Sequence, residues 1–432
     1  MMKYTFRFLT LLFLLFIGEN SQAQNKAKID GADLKIPTGY ANNLHWDLPL
    51  DSVGKNGSLI TWKSSNPVYV SDKGKLLKLS PRNGSKIKLK MTATVSLGNT
   101  KIKRTFDITI AYQEMPLEGY LFSYFEGSGP RDKDEQIRFG VSADAINWSA
   151  LNKNQPIISS ELISGTGGVR DPHILRGEDE KSFYMVATDM STAKNGWGHN
   201  PGIVMLKSGN LIDWKHGFID LEKVYPTKFK NIQWIWAPQT IYDPAVGKYL
   251  VYFTVKFKDD LKLDFYGAYA NADFNAFENE PKLMFGPKYG AIDGDIIYKD
   301  GLYHFFFKGN TKDENGKEYK NGIRQAIGKT LQGPWVEDFN YLDAYSAKKI
   351  VVEGSSVFKL NNLDTYILMY DLYTNKRYEF QRSKDLYQFT PMPESFTKNF
   401  FPRHGSIIGI TKEEAKRLNE KWGGVPELLL KN

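Results

Sequence analysis

From about residue 30 to 113, apolar and polar positions alternate in short runs. The stretches "SLITWKSSNPVYVSDKGKLLKLS" (58–80) and "KIKLKMTATVSLGNTKIKRTFDITIAY" (86–112) read as strands, since successive strand side chains point to opposite faces. Ser-Asn-Pro, Asp-Lys-Gly and Gly-Asn supply the turns between them. Trp62 alternates with polar neighbours and is expected to plug a small sandwich core. The region as a whole is expected to be all-β.

After "QEMPLEGY" the pattern becomes a repeat. A box of polar-x-(Asp/Asn/Thr)-apolar ending in an aromatic occurs as "SADAINW", "SGNLIDW", "NADFNAF", "GKTLQGPW" and "SKDLYQF". Its aromatics, Trp148, Trp214, Phe277, Trp335 and Phe389, stand some sixty residues apart. Each box is followed by a second element: "RDPHIL", "WAPQTIYD", "DGDIIYKDG", "EGSSVFKL" or "RHGSIIGI". The first four of these lead into the aromatic strands "FYMVAT", "KYLVYFT", "LYHFFF" and "TYILMY". Strand-rich modules of this length, five in number, predict a five-bladed β-propeller. "GYLFSYF" through Trp148 is expected to add outer strands to the blade whose inner strand is "RHGSIIGI", closing the ring. Thr411 and Glu414 form a capping box that predicts a final helix over 412–421.

In a propeller the inner strands begin around one end of a central tunnel. Aligned on their apolar residues, Asp171 before Ile174 matches Asp293 before Ile296, and Glu353 holds nearly the same place ahead of Val357. The second module offers Trp236 there, and the fifth Arg403 and His404. Taken singly, each motif has a plain reading. Asp-Pro and Asp-Gly make turns, Asp295 rivals Asp293, and His404 suits an internal histidine. Acids at matching points of a repeat are a different matter, because like charges held together raise one another's proton affinity. Glycosidic hydrolysis uses such an arrangement, with one acid to protonate the leaving oxygen and one carboxylate to activate water. A third acid would hold the proton donor's pKa high. The loop "TDMSTAKNGWGHNPG" brings Trp197 and His199 either over this pocket or into a surface turn.

Composition narrows the field. The chain has 432 residues, room for two domains, and 24 Tyr, 27 Phe and 9 Trp suit strands. Its formal charge of +8 is spread among acids without a run of five, which speaks against nucleic acid as partner. Lys3, Arg7, the apolar Phe8–Ile17 and Ser21-Gln22-Ala23 have the pattern of a secretory leader, residues 1–23, cleaved after Ala23. The mature protein is then expected to be secreted or periplasmic, with no integral membrane span. There is no cysteine, which excludes disulfides and a lipid-anchored leader. The six His lack HExxH spacing, and neither a phosphate loop nor a G-x-S-x-G elbow is present.

Two resemblances follow from these motifs. "ITWKSSNP", "DKGKL" and "TATVS" resemble bacterial immunoglobulin-like modules, implying a β-sandwich over residues 24–114. "RDPHI", "WAPQ", "IDGDIIYKDG", "EGSSVF" and "RHGS", in that order, resemble family 43 glycoside hydrolases over residues 115–432. This implies an all-β fold with a five-bladed propeller and an inverting mechanism. By position it puts the general base on Asp171, the pKa-setting acid on Asp293 and the general acid on Glu353. It makes Trp236 a wall of the sugar subsite and sets His404 near an ion or water cluster on the axis, so that no cofactor is required but a structural calcium is admitted. Arg403, beside His404, is expected to donate to a sugar hydroxyl, and Trp197 to stack on a sugar face. The family commonly continues Glu-Gly-Pro and Asp-Pro where this chain has Glu353-Gly354-Ser355 and Asp293-Gly294. The expected substrate is plant-wall polysaccharide or oligosaccharide, with terminal α-L-arabinofuranose ahead of β-D-xylose. A retaining or phosphorolytic propeller, such as a fructan hydrolase, and a non-catalytic glycan-binding propeller stand as alternatives.

Overall fold

The computed structural model describes residues 22–431 apart from 81–84, 112–114, 128–130, 261, 313–317, 344–349, 376 and 393–395. Residues 1–21, most of the expected leader, lie outside the described residues. The chain divides into two compact units, one up to Glu114 and one from Met115 onward, with the segment Pro244–Gly247 grouped with the first.

The first unit contains an antiparallel sheet of Leu59–Ser64, Ile87–Leu97 and Thr100–Ile110, in that order. Its core gathers Tyr40, Leu44, Val70, Leu89, Met91, Ile108 and Ile110, with Trp62 packed at the margin and donating to the Asp51 carbonyl. The expectation of strand from residue 30 onward fails at its start: 22–33 are helical, as is Thr38–Asn42. Ala27, Asp30, Gly31 and Leu34 are the buried positions, and their spacing of three and four residues is helical. Two of the four are not hydrophobic, so the stripe is faint in the sequence. Asp30 is buried because its carboxylate accepts from the backbone N–H of Asn56 and of Ser58.

Among its described residues the second unit holds five sheets. Blade one runs from the inner strand Val169–Arg176 outward through Phe183–Asp189 and Gly202–Ser208 to Trp214–Asp220. Blades two to four repeat the plan, with inner strands Ile232–Asp243, Ala291–Lys299 and Glu353–Lys359. Blade five begins on Ser406–Thr411 and continues with Leu117–Tyr124, Arg138–Ser142 and Asn147–Ala150, so strands from both ends of the unit share one sheet. Each inner strand packs against the next around the ring, and the fifth packs against the first. Between blades lie apolar clusters. Tyr184, Val186, Val251 and Phe253 seal blades one and two, and Tyr252, Phe265, Phe305 and Phe307 seal two and three. At roughly 1.5–3 kcal/mol per large buried side chain, these seams hold the ring together.

The boxes are the outer turns of the blades. Asp144 Oδ1 accepts from the N–H groups of Ile146 and Asn147, Asn210 Oδ1 from Ile212 and Asp213, and Asp385 Oδ1 from Tyr387 and Gln388. The residue after each is left-handed: Ala145, Leu211 and Leu386. The side-chain oxygen satisfies the N–H groups that such a turn leaves without backbone partners. The closing helix runs Lys412–Trp422 with the Thr411–Glu414 capping box formed in both directions.

Candidate active site

One irregularity, repeated around the ring, builds the site. In blade one Arg170 pairs with Thr188 and His173 with Val186, leaving two inner residues opposite one. The same bulge separates Trp236 from Gln239, Ile292 from Asp295 and Glu353 from Ser356. In blade five Ser406 pairs with Ser123 while Pro402 bridges Glu126, again one residue in excess. In blades one to four the first bulged residue is left-handed: Asp171 at φ 52°, Ala237 at 44°, Asp293 at 55° and Gly354 at 65°. For a residue with a Cβ this costs on the order of 1–3 kcal/mol and is retained where surroundings enforce it. The bulge turns side chains off the sheet faces and toward the mouth of the ring.

Asp171 and Asp293 therefore occupy equivalent positions, as their sequence alignment implies. Glu353 does not. It stands one residue earlier, level with Arg170, Trp236 and Ile292, and Gly354 takes the left-handed place. A Cβ on Gly354 would come within 3.0 Å of the His404 ring, which is why this blade has no side chain at that point.

The mouths converge on one cleft, lined by Asp171, Trp197, Trp236, Asp293, Glu353, Arg403 and His404 together with Phe125, Arg170, Met190 and Ile292. All the residues singled out from sequence as the core of the site meet there. His199 does not. Its Nε2 lies 2.9 Å from Glu222 and its Nδ1 faces the Ile232 carbonyl, so of the loop's two aromatic residues only Trp197 turns to the cleft. Asp295 also lies elsewhere, deeper, accepting from Val357 N–H at 2.6 Å. Burial pushes its carboxyl up to about 6, only partly offset by that hydrogen bond.

His404 is buried with Nδ1 3.4 Å from Asp171 Oδ1 and 3.8 Å from Asp293 Oδ1. Burial disfavours its charged form, but Asp293, Asp171 and Glu353 outweigh this and raise it to about 9. Burial pushes Asp171 upward too, yet His404, Arg170 and the Thr188 hydroxyl, donating at 3.0 Å, hold it below the usual carboxylate range. Asp293 goes the other way. Burial raises it, and the cations His404 and Lys308, opposed by Glu353 and Asp171, do not bring it back. Two carboxyls in equivalent backbone positions thus have opposite proton affinities. Among the described residues no three His, Asp or Glu side chains converge as a metal's ligands. Through Nδ1 the His404 ring stands as counter-ion to the two carboxylates.

Glu353 is gripped from two sides. Lys308 Nζ donates to Oε2 and Arg403 Nη2 to Oε1, both at 2.9 Å, and Arg403 Nε donates to the buried Asp371 at 2.5 Å. Lys308 and Asp371 went unnoticed in the sequence reading. So did Trp234, whose ring stacks on Trp236 at 4.5 Å and 12° while Trp197 meets Trp236 edge-on at 6.4 Å. Arg170 lies over Trp197, 5.0 Å from its ring centre, and so ties this aromatic wall to the residue before Asp171.

Beneath the acids a second set of contacts fastens four of the blade pairs. In blades one to four the N–H three residues past the left-handed residue meets a side chain of the preceding blade. Ile174 donates to Ser406 Oγ, Thr240 to His173 Nδ1, Ile296 to Tyr252 Oη and Val357 to Asp295. Burial, and then the charge of His404, lowers His173 to about 3, which keeps it a neutral acceptor. These bonds fix the inner strands' relative heights, and hence the spacing of the acids above them.

Comparison with known proteins bears on the family. A family model described as "Probable glycosyl hydrolase domain", of the family-43-related group, matches residues 115–416, and one for an atrophied bacterial Ig domain matches 27–113. The chain is 25% identical over 394 residues to an α-L-arabinofuranosidase of Bifidobacterium longum, covering 80% of this chain and 36% of that protein. It thus spans little more than a third of that relative's length. Similar solved structures include an endo-1,4-β-xylanase from Bacteroides thetaiotaomicron (16% identity, TM-score 0.46, 67% of this chain and 97% of that one). Another is the Cellvibrio cellulosa α-L-arabinanase with arabinohexaose (14% identity, TM-score 0.46, 66% of this chain and 100% of that one). With the first model covering most of its length, the chain belongs to the family-43-related glycosyl hydrolases.

Proposed function

We propose that the protein is an inverting glycoside hydrolase that removes terminal sugars from plant-wall polysaccharide or oligosaccharide. The observation that carries this reading is the cleft in which Asp171, Asp293 and Glu353, from three blades, meet beside an aromatic wall. In the mechanism Asp171, held ionised by His404 and Thr188, takes a proton from water as that water attacks the anomeric carbon. Glu353 gives its proton to the departing oxygen as the glycosidic bond breaks. Asp293, neighbour to both, keeps negative charge close to Glu353. The tryptophans supply a face on which a sugar ring stacks. A protein that only bound glycans would have no use for two acids held in left-handed backbone.

For the sugar, α-L-arabinofuranose is favoured by the activity of the Bifidobacterium relative, with β-D-xylose second. The leader-like pattern of residues 1–23 supports export, to the periplasm or beyond. The test is a release assay on nitrophenyl glycosides and plant-wall polysaccharides, with the anomer of the first product followed by NMR. Asp171→Asn and Glu353→Gln are each expected to lower kcat by about 10²–10⁴ without unfolding the protein. Full activity in either variant overturns its assigned role, and a product that keeps the substrate's anomeric configuration overturns inversion.

A further inference from the structure

The bulges define a second set of equivalent residues, those paired with the residue just before each bulge. They are Thr188 opposite Arg170, Thr254 opposite Trp236, Lys308 opposite Ile292 and Asp371 opposite Glu353. Three of these reach to the next blade's mouth. The Thr188 hydroxyl accepts from Ala237 N–H at 2.8 Å, Lys308 donates to Glu353, and Asp371 accepts from Arg403. Blades one, three and four thus brace the mouth of their successors from behind.

Around Glu353 this produces a row of alternating charge: Lys308, Glu353, Arg403, Asp371. The two cations differ in their surroundings. Arg403 lines the cleft, whereas Lys308 does not, and its side chain is only 10% exposed with Nζ over the Tyr373 ring at 5.2 Å. Oε1 is thus held by the cation that lines the cleft and Oε2 by the one that lies outside it.

We propose that Lys308 is a positioning residue for proton transfer: it anchors Oε2 of Glu353 so that Oε1 is presented to the leaving oxygen. The inference rests on the glycosidase reading above. The step balances simply. The Oε1–H bond breaks as the proton passes to the glycosidic oxygen, whose bond to the anomeric carbon breaks, and water attacks that carbon while its proton goes to Asp171. Lys308 keeps its own protons throughout and does not touch the substrate.

Leaving-group dependence tests this, because a good leaving group departs without a proton. Lys308→Met and Lys308→Arg are assayed on two glycosides of the same sugar, one losing 2,4-dinitrophenolate and one losing a second sugar. For Lys308→Met the expected loss in kcat is about 10- to 100-fold on the sugar-leaving substrate and under about threefold on the dinitrophenyl one, with KM within about twofold. Lys308→Arg, which keeps a cationic donor, is expected to restore most of the activity. If Lys308→Met does not fold, Lys308→Gln takes its place with the same pattern expected. Glu353→Gln serves as reference on the same pair. Should it show the dependence while the Lys308 variants lose both activities equally, the lysine is merely structural and this inference falls alone. Should Glu353→Gln itself be indifferent to the leaving group, the assignment of Glu353 falls and takes this inference with it.

Discussion

Asp171 and Asp293 show how neighbours decide what a carboxyl does. Both lie near the start of an inner strand in left-handed backbone, but to the His404 they share Asp171 adds Arg170 and the Thr188 hydroxyl, while the more buried Asp293 adds Lys308 and faces Glu353. His404 links them, and its charge has a consequence for stability. Its folded pKa, about 9, exceeds the unfolded value near 6.5, so folding gains from its proton. That gain is complete below pH 6.5 and is lost as pH rises through 9, and it is worth on the order of 3 kcal/mol. Asp371 and Asp295, raised to about 6 by burial, have finished titrating near the lower edge of this window, and Lys308 titrates above it. The expected outcome is an unfolding free energy, measured in denaturant, that falls between pH 6.5 and 9.5 in the parent and stays nearly flat in His404→Gln. Equal slopes in the two would mean that His404 is neutral and that another group holds Asp171 ionised.

At the level of the strand, the bulge is the device that makes a site from a repeat, and it makes opposite predictions at two of its copies. Ala237 carries a Cβ in left-handed backbone with no carboxyl to present, so Ala237→Gly is expected to stabilise the protein by about 1 kcal/mol. Gly354→Ala adds strain in the same backbone and a contact of 3.0 Å with His404, so a loss of about 1–3 kcal/mol is expected. Thermal unfolding of both variants checks the pair, and shifts of the same sign would show that the bulges are not equivalent. Much of this was legible in the sequence, because three outer turns carry an Asp or Asn acceptor at the same point of the box and the inner strands an apolar residue in register. Glu353 stands four residues ahead of Val357 where the aspartates stand three ahead of their isoleucines, and the reason was hidden: a bulge with Gly354 at the left-handed place leaves no mark distinguishing it from a turn. Lys308 and Asp371 escaped because their equivalence depends on cross-strand register, which "FFFKGN" and "LMYDLY" do not encode locally. The helix over 22–33 was hidden for another reason, since an aspartate and a glycine occupy half of its buried face.

A ring of blades has one seam where its ends must meet, and how it is fastened determines how the whole domain unfolds. Here the seam is the sheet shared by Leu117–Tyr124 and Ser406–Thr411, as expected from "GYLFSYF" standing ahead of the first full module. The structure adds a clasp that the sequence did not reveal. Arg176, at the end of blade one's inner strand, donates to both oxygens of Glu414 in the closing helix, at 2.8 and 2.6 Å, and to the Gly409 carbonyl at 2.9 Å. Its guanidinium also lies over Phe183. Glu414 already accepts from Thr411 N–H as the helix cap, so one carboxylate joins blade five, the helix and blade one. Both side chains are largely buried, and removing one member of such a pair strands the other's charge, at a cost of about 3–5 kcal/mol. Arg176→Met is therefore expected to lower Tm by several degrees, whereas Glu413→Gln, one position away but exposed, is expected to shift stability by less than about 0.5 kcal/mol. Because His404 precedes the clasped strand and the clasp holds its far end, its loosening should reach the acids only as the ring opens. Activity of Arg176→Met at 25 °C should stay within about twofold of the parent and then fail at the temperature where its near-ultraviolet circular dichroism is lost. Activity lost well below that temperature would place Arg176 in the working of the site, and an unchanged Tm would show that the shared sheet closes the ring unaided.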